Sequence, residues 1–421
     1  MKTVIMAGGK GTRISSIHGD IPKPLIKVGG KPIIQRQIEL FARDGFNDFI
    51  IAIGHMGEQI INNLGDGSTL GVNIEYYMED APLGTAGALF KLRDVLKDDF
   101  FLINGDLLFD VDLCAFLKYH NEKMGFATIL THCSNHPYDS GIIQNDHEGL
   151  VLKWIHMEDE RVWYKNQTNA GMHILSPFAL DIEYENPYIN LDRDILTPLI
   201  GARKLYAYKT SEYVYDLGTP KRLEDAENDL KRGFVSRKSI RNKRKAIYID
   251  RDGVINQERG IISDIENFEL IEGVSEAIRK INKSGYLVII ITNQPVIARG
   301  ELTVDGLEEI HNKMETLLGH DGAYVDDIFY CPHHPDAGYD GEVKSLKFDC
   351  DCRKPKAGMI IKAAKKYNID LSNSWMVGDQ YKDIEAGKNA GCKTAYIGER
   401  ISGVESFESL KYFCDEKLDL S

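Results

Sequence analysis

An apolar run, KTVI, leads into MAGGKGTR at residues 6–13, and PKPL follows at residues 22–25. Three glycines let backbone N–H groups approach a polyphosphate closely, and the Lys and Arg among them neutralise its charge. The stretch therefore reads as a phosphate cradle. A second set of chemistry-bearing residues lies far downstream. Cys331, Cys350 and Cys352 fall close to His333 and His334 in CPHHP and CDC. Three thiolates and one imidazole are a common tetrahedral zinc set. The chain has seven cysteines, unevenly placed. That pattern suits a metal site in a reducing cytoplasm better than a disulfide framework.

These groups need elements to position them. At 421 residues the chain is too long for one ordinary core, so two domains are expected. Short apolar runs such as KTVIMA, DFIIAIG, NIEYY and FFLING read as strands, and PIIQRQIELFARDG has helical spacing. This alternation predicts an α/β chain built on mostly parallel sheets. A basic stretch, KRGFVSRKSIRNKRK, interrupts it and reads as a linker or a solvated helix end. Strand signals restart at AIYID and continue through YLVIIITN, DDIFYCP, SWMVGD and KTAYIG. The predicted organisation is a first domain over 1–232, a linker over 233–245 and a second domain over 246–421. The net charge of −13 argues against broad binding to nucleic acid. There is no apolar run of membrane-spanning length and no signal-peptide core at the start. A cytoplasmic protein with small-molecule partners is expected, without nucleic acid or membrane.

The paired AGG-x-GTR and PKPL motifs resemble the signature of sugar-phosphate nucleotidylyltransferases, over roughly residues 1–230. The resemblance implies a Rossmann-like, GT-A-like domain. It also implies attack by a sugar 1-phosphate oxygen on the α-phosphorus of a nucleoside triphosphate, with pyrophosphate leaving. Such a reaction needs positioning and charge neutralisation more than acid–base chemistry. The nucleotide would lie against Ala7, Gly8, Gly9, Gly11 and Thr12. Its base would lie against Pro82, Gly84, Thr85 and Ala86 of APLGTAGAL, which resembles the family's base-recognition loop. Arg13 would clamp the pyrophosphate and Lys23 would neutralise the reacting phosphates. Asp106 in NGD and Asp216 in YDLGTP would hold Mg²⁺. Asn169 and Gly171 in NAGMHIL would lie near the sugar. The family's Glu-Lys-Pro tripeptide is missing from LKWIHMEDERVWYKNQTNAG, which leaves Lys165 or Lys153 to meet the sugar phosphate.

IYIDRDGVIN, residues 247–256, resembles the nucleophile motif of haloacid dehalogenase-type phosphatases, and the likeness runs to about residue 400. It implies a Rossmannoid fold in which Asp250 attacks phosphorus and Asp252 serves as acid and then base. Thr292 and Asn293 in ITNQ would touch the phosphate. Lys354, with Arg353 beside it in CRKP, would steady the phosphoaspartate. Asp250, Asp252 and Asp379 would hold Mg²⁺, supported by Asp383. The CPHH…CDCRKP arrangement resembles that of the heptose 1,7-bisphosphate phosphatases. It implies a structural Zn²⁺ on Cys331, His333, Cys350 and Cys352, with His334 outside the set.

Together the two resemblances imply a bifunctional enzyme. It would remove the 7-phosphate of D-glycero-α-D-manno-heptose 1,7-bisphosphate and then transfer GMP from GTP to the 1-phosphate. GDP-D-glycero-α-D-manno-heptose, used for bacterial surface glycans, would be the product. The residues are also compatible with the same two reactions on mannose or glucose 1-phosphate, with UTP, dTTP or CTP. A silent, regulatory domain is a further alternative.

Overall fold

The computed structural model describes residues 1–9, 19, 21–183 and 186–418. By its contacts this chain divides into two compact units. The first comprises Met1–His132, Ile143–Ile155 and Asn169–Ser239. The second comprises Cys133–Ile142, His156–Thr168 and the described residues from Ile240 onward. Two segments from inside the first domain's sequence thus belong to the second unit.

The elements of the first unit are strand β1 (Lys2–Ala7), helix α1 (Ile33–Arg43) and strands β2 (Asp48–Ile53), β3 (Asn73–Met78), β4 (Phe100–Asn104) and β5 (Leu107–Asp110). Strands β6 (Ala127–His132), β7 (Ile142–Asn145), β8 (Val151–Ile155), β9 (Thr168–Leu175), β10 (Leu205–Lys209) and β11 (Tyr213–Asp216) follow. The sheet runs in the order β8-β7-β9-β4-β1-β2-β3. The four strands from β4 to β3 are parallel, and β9 is antiparallel to β4. Val4 and Ile5 point to opposite faces and both are fully buried, as a strand covered on both sides requires. Helix α1 forms because Ile34, Ile38 and Phe41 recur along one face, and that face packs into the core with Phe49 and Phe101. The chain leaves β1 to one side toward β2 and returns on the other at β4. The loops after these strands therefore open at the crevice where the order reverses.

The second unit has six parallel strands: β12 (Ala246–Ile249), β13 (Leu287–Asn293), β14 (Asp327–Cys331), β15 (Trp375–Gly378), β16 (Lys393–Ile397) and β17 (Glu405–Phe407). Their order is β14-β13-β12-β15-β16-β17, again with the switch at the first strand in sequence. Helix α2 (Val304–His320) lies between β13 and β14 in sequence, and α3 (Tyr381–Ala390) follows β15. The whole of β12 is buried, as its AIYI sequence requires.

The basic stretch after residue 232 carries a short helix end and packed cations. Residues Phe234–Lys238 form a short helix with Val235 and Lys238 buried. Arg244 is only 2% exposed, and its backbone N–H and Nε donate to the carbonyls of Asn368 and Tyr367. Long aliphatic stems let these cations lie against the fold, which a count of charges does not reveal.

Candidate functional site

In the first unit, the loops after β1, β3 and β4 carry the candidate residues. Gly8 and Gly9 follow β1 directly, whereas Gly11, Thr12 and Arg13 lie outside the described residues. A Cβ on Gly8 would sit 2.9 Å from Glu79 Oε2. Glu79 follows β3, and burial pushes its carboxyl above its usual range, partly offset by the Leu83 N–H. Glu79 belongs to none of the motifs named above. Its signal was an acid closing a strand just before a glycine-containing loop. That loop is tied to the segment near Ile189. Leu83 accepts from the Ile189 N–H at 3.0 Å, Ala86 N–H donates to Ile189 at 3.0 Å, and Thr85 Oγ1 accepts from the Leu191 N–H at 2.8 Å. Gly84 has φ +81°, and a Cβ there would lie 2.4 Å from the Ile189 carbonyl oxygen, so only glycine fits.

Asp106 stands in the turn between β4 and β5, and Asp216 ends β11. The two strands β5 and β11 pair antiparallel with Asp216 opposite Leu107, and Leu217 N–H donates to the Asp106 carbonyl at 3.0 Å. Lys23, in the short helix Lys23–Leu25 made by PKPL, forms an ion pair with Asp106. Asp216 pairs with Arg222 and accepts the Gly218 N–H at 2.7 Å. A Cβ on Gly218 would touch Asp216 and lie 3.8 Å from Lys23 Nζ, so the two acids and the lysine converge. Both carboxylates belong to a donor set that suits a hard cation shared with phosphate oxygens. Behind them, buried Gln37 of α1 donates to the carbonyls of Asn104 and Leu107 at 3.0 and 2.8 Å and fixes the turn. Asn169 and Gly171 lie on β9 beside this turn, where a Gly171 Cβ would meet Asn104 Nδ2 at 2.8 Å. Of the two candidate lysines, Lys165 belongs to the second unit, while Lys153 is exposed on β8 of the first.

In the second unit, Asp250 follows β12 and Asp379 follows β15, while Thr292 and Asn293 end β13. Lys354 is fully buried. Its Nζ lies 2.8 Å from Asp250 Oδ1 and 2.7 Å from Asp383 Oδ1, and donates to the Ile291 carbonyl at 2.8 Å. Asn293 holds it from both sides, Oδ1 accepting the Lys354 N–H and Nδ2 donating to the Lys354 carbonyl, each at 3.0 Å. Burial pushes the Asp250 carboxyl up to about 7, against the pull of Lys354 and with a further push from Asp383. Burial opposes the charge on Lys354, but Asp250 and Asp383 outweigh it and raise its pKa. Asp379 is pushed up to about 6 by burial and by Asp383. Oxygens of Asp250, Asp379 and Asp383 lie within 4.8 Å of one another. Asp379 Oδ1 is buried and accepts no hydrogen bond, which suits a carboxylate facing a cation. Gly253 has φ +80°, and a Cβ there would run into Asp379 at 2.1 Å. Asp383, expected only in support, is thus a member of the acidic group. The carboxylate of Asp252 is held apart from it by Arg251, Asn256 and Gln294.

Cys331, His333, Cys350 and Cys352 form a cluster that could hold a metal ion. The three sulfurs lie 3.2–3.4 Å apart, and His333 Nδ1 is 3.2 Å from Cys352 Sγ. Four ligands at about 2.3 Å from one centre would be about 3.7 Å apart, so the sulfurs would have to spread by a few tenths of an ångström around a bound ion. His334 is engaged elsewhere: Nδ1 accepts the Asp336 N–H at 3.2 Å and Nε2 faces Arg299 at 3.4 Å. Arg353 Nη1 donates to the His333 carbonyl at 3.2 Å, which ties the Cys/His cluster to the segment carrying Lys354.

Comparison with known proteins agrees with this division of labour. The nucleotidyl transferase family model matches residues 2–233, and the haloacid dehalogenase-like hydrolase model matches residues 127–391. The D-glycero-beta-D-manno-heptose-1,7-bisphosphate 7-phosphatase of Haemophilus influenzae is 40% identical over 179 residues, 42% of this chain and 94% of that protein. The protein of the same name from Escherichia coli K12 is 41% identical, over 36% of this chain and 78% of that one. Among solved structures, HddC from Yersinia pseudotuberculosis matches 54% of this chain and 99% of its own at 25% identity, with a TM-score of 0.47. The chain belongs to the nucleotidyl transferase family through residues 2–233 and to the haloacid dehalogenase-like hydrolases through residues 127–391, and so joins a transferase to a phosphomonoesterase.

Proposed function

We propose that the chain makes GDP-D-glycero-α-D-manno-heptose in two steps. The second unit removes the 7-phosphate of the heptose 1,7-bisphosphate, and the first transfers GMP from GTP to the remaining 1-phosphate. The observation that carries this reading is the convergence of Asp250, Lys354, Asp379 and Asp383 in a unit whose relatives are named for that bisphosphate.

In the phosphatase, an Asp250 oxygen attacks phosphorus in line with the departing sugar oxygen and becomes an aspartyl-phosphate. Asp252 gives the proton that the sugar oxygen needs, then takes one from the water that releases phosphate. Lys354 neutralises charge on the attacked group, and Thr292 and Asn293 orient it. Mg²⁺ held by Asp250, Asp379 and Asp383 would screen the repulsion between nucleophile and phosphate. Zn²⁺ on Cys331, His333, Cys350 and Cys352 would fix the loop that presents Arg353 and Lys354.

In the transferase, Lys23 neutralises the reacting phosphates, and Asp106 and Asp216 would share Mg²⁺ with them. Gly8, Gly9, Gly11 and Thr12 cradle the triphosphate, and Arg13 takes the pyrophosphate. Lys153, on the first unit, is assigned to the sugar phosphate. Guanine is supported by Glu79: a carboxylate accepts both donors on guanine's N1–H and N2–H₂ edge, whereas uracil and thymine offer no such pair.

The test is a coupled assay with purified chain, Mg²⁺, GTP and either anomer of heptose 1,7-bisphosphate, since the relatives' names carry the β form. Phosphate, pyrophosphate and GDP-heptose are followed separately, with ATP, UTP, CTP and dTTP in parallel. Release of both phosphate and pyrophosphate, with sugar nucleotide formed only from GTP and the α anomer, is expected. Phosphate without pyrophosphate would overturn the transferase half.

A further inference from the structure

Arg251, between the two aspartates of the DRDG motif, is the largest fully buried side chain among the described residues. Its Nε and Nη2 donate to Asp252 Oδ1 at 3.1 and 2.8 Å, and Nη2 also reaches Oδ2 at 3.1 Å. Asn256 Nδ2 and Gln294 Nε2 complete the hold on that carboxylate at 3.1 and 2.8 Å. The other face of the guanidinium meets helix α2, where Nη1 lies 3.3 Å from His311 Nε2. An arginine has only donors, so this ring nitrogen must accept, and His311 is neutral with its proton on Nδ1. Burial and the neighbouring Arg251 agree, pushing the His311 pKa down to about 3. A buried cation is costly unless it is paired and hydrogen-bonded, and here the pairing falls on Asp252 itself.

We propose that Arg251 and His311 are positioning residues: His311 orients the guanidinium, and the guanidinium aims the Asp252 carboxyl at the leaving sugar oxygen. This rests on the phosphatase reading above. As the Asp250–phosphorus bond forms and the phosphorus–oxygen bond breaks, the electron pair goes to the sugar oxygen and the proton comes from Asp252. A misaimed Asp252 would therefore matter most for a poor leaving group.

The experiment compares full-length wild type, R251K, H311F and H311Q on heptose 1,7-bisphosphate and on p-nitrophenyl phosphate, whose leaving group needs no proton. R251K keeps the buried charge without the two-point fork, and H311Q keeps an acceptor. The expected result is a kcat loss of about 100-fold on the sugar ester in R251K and H311F, with no more than about fivefold on the aryl ester. KM should be unchanged, and H311Q should recover most of the activity. Equal losses on both esters, or wild-type kcat in H311F, would overturn the inference. A wild type inactive on both esters would instead refute the phosphatase reading, and this inference with it.

Discussion

Replacing Lys354 with alanine tests the centre of the second unit most directly. Its ammonium has three donors, and the structure supplies three acceptors within 2.8 Å, two carboxylates and one backbone carbonyl. Alanine would leave Asp250 and Asp383 as neighbouring buried charges with no cation. Breaking a buried pair in this way costs about 3–5 kcal/mol. For a unit of this size each kcal/mol lowers Tm by about 2–4 °C, so a fall of roughly 6–20 °C is expected in metal-free protein. The pH dependence has a definite sign. Asp250 is already pushed up to about 7 in the folded chain, above its unfolded value near 3.9. The folded state therefore binds the proton more tightly, and this group favours folding more at pH 5 than at pH 8. Loss of Lys354 removes the group that pulls Asp250 down, so the Tm deficit of K354A should shrink as pH falls. Adding D383A should recover stability, because it removes the like charge. The assay is thermal unfolding with 5 mM EDTA across pH 5–8, paired with phosphate release under Mg²⁺, where kcat should fall by at least about 100-fold. A K354A Tm within 2 °C of wild type at pH 8, with no change in its pH slope, would refute the reasoning.

Four further outcomes follow from the same geometry. D106A and K23A should each abolish pyrophosphate release while leaving phosphate release within twofold, measured in one coupled assay. E79Q should lower the GTP-to-UTP preference by about 10–100-fold in kcat/KM, the worth of one unmade buried hydrogen bond, and an unchanged preference would remove Glu79 from base recognition. C352S should lose stoichiometric zinc by metal analysis and become sensitive to chelators, with cleavage by protease appearing first between residues 332 and 350. Q37A leaves two buried carbonyls unmet and should cost about 1–3 kcal/mol in urea unfolding, with a raised KM for the triphosphate rather than a loss of the phosphatase.

Strands and motif order were readable because they are local. KTVIMA, AIYI and WMVG are apolar runs of strand length, and each ends at a residue with chemical consequence. The acids at strand ends converge because parallel strands deliver their C-terminal ends to one edge of the sheet. What the sequence hid is what depends on distant pairing. Glu79 looks like any surface acid until β3 places it against Gly8. Arg244 reads as linker charge until Asn368 and Tyr367 receive it. Asp383 reads as a supporting acid, and its place directly among the acids follows only from the β15–α3 turn, where a Cβ on Gly378 would strike it at 2.3 Å. Lys165 could not be assigned to a unit from its neighbours in sequence, because His156–Thr168 leaves the first unit and returns to it.

That detour has a consequence for synthesis. Tyr164 N–H donates to Thr316 Oγ1 at 2.9 Å, Thr316 Oγ1 donates back to the Tyr164 carbonyl at 3.0 Å, and Asn166 N–H donates to Glu315 at 3.1 Å. Each pair is about 150 residues apart in sequence. At about 5–20 residues per second, the ribosome finishes the Tyr164 segment roughly 8–30 s before helix α2 emerges. During that interval the segment waits without its partner, although the strands on either side of it can already pair. The nascent chain therefore carries this segment of the second unit unpartnered until helix α2 has been made.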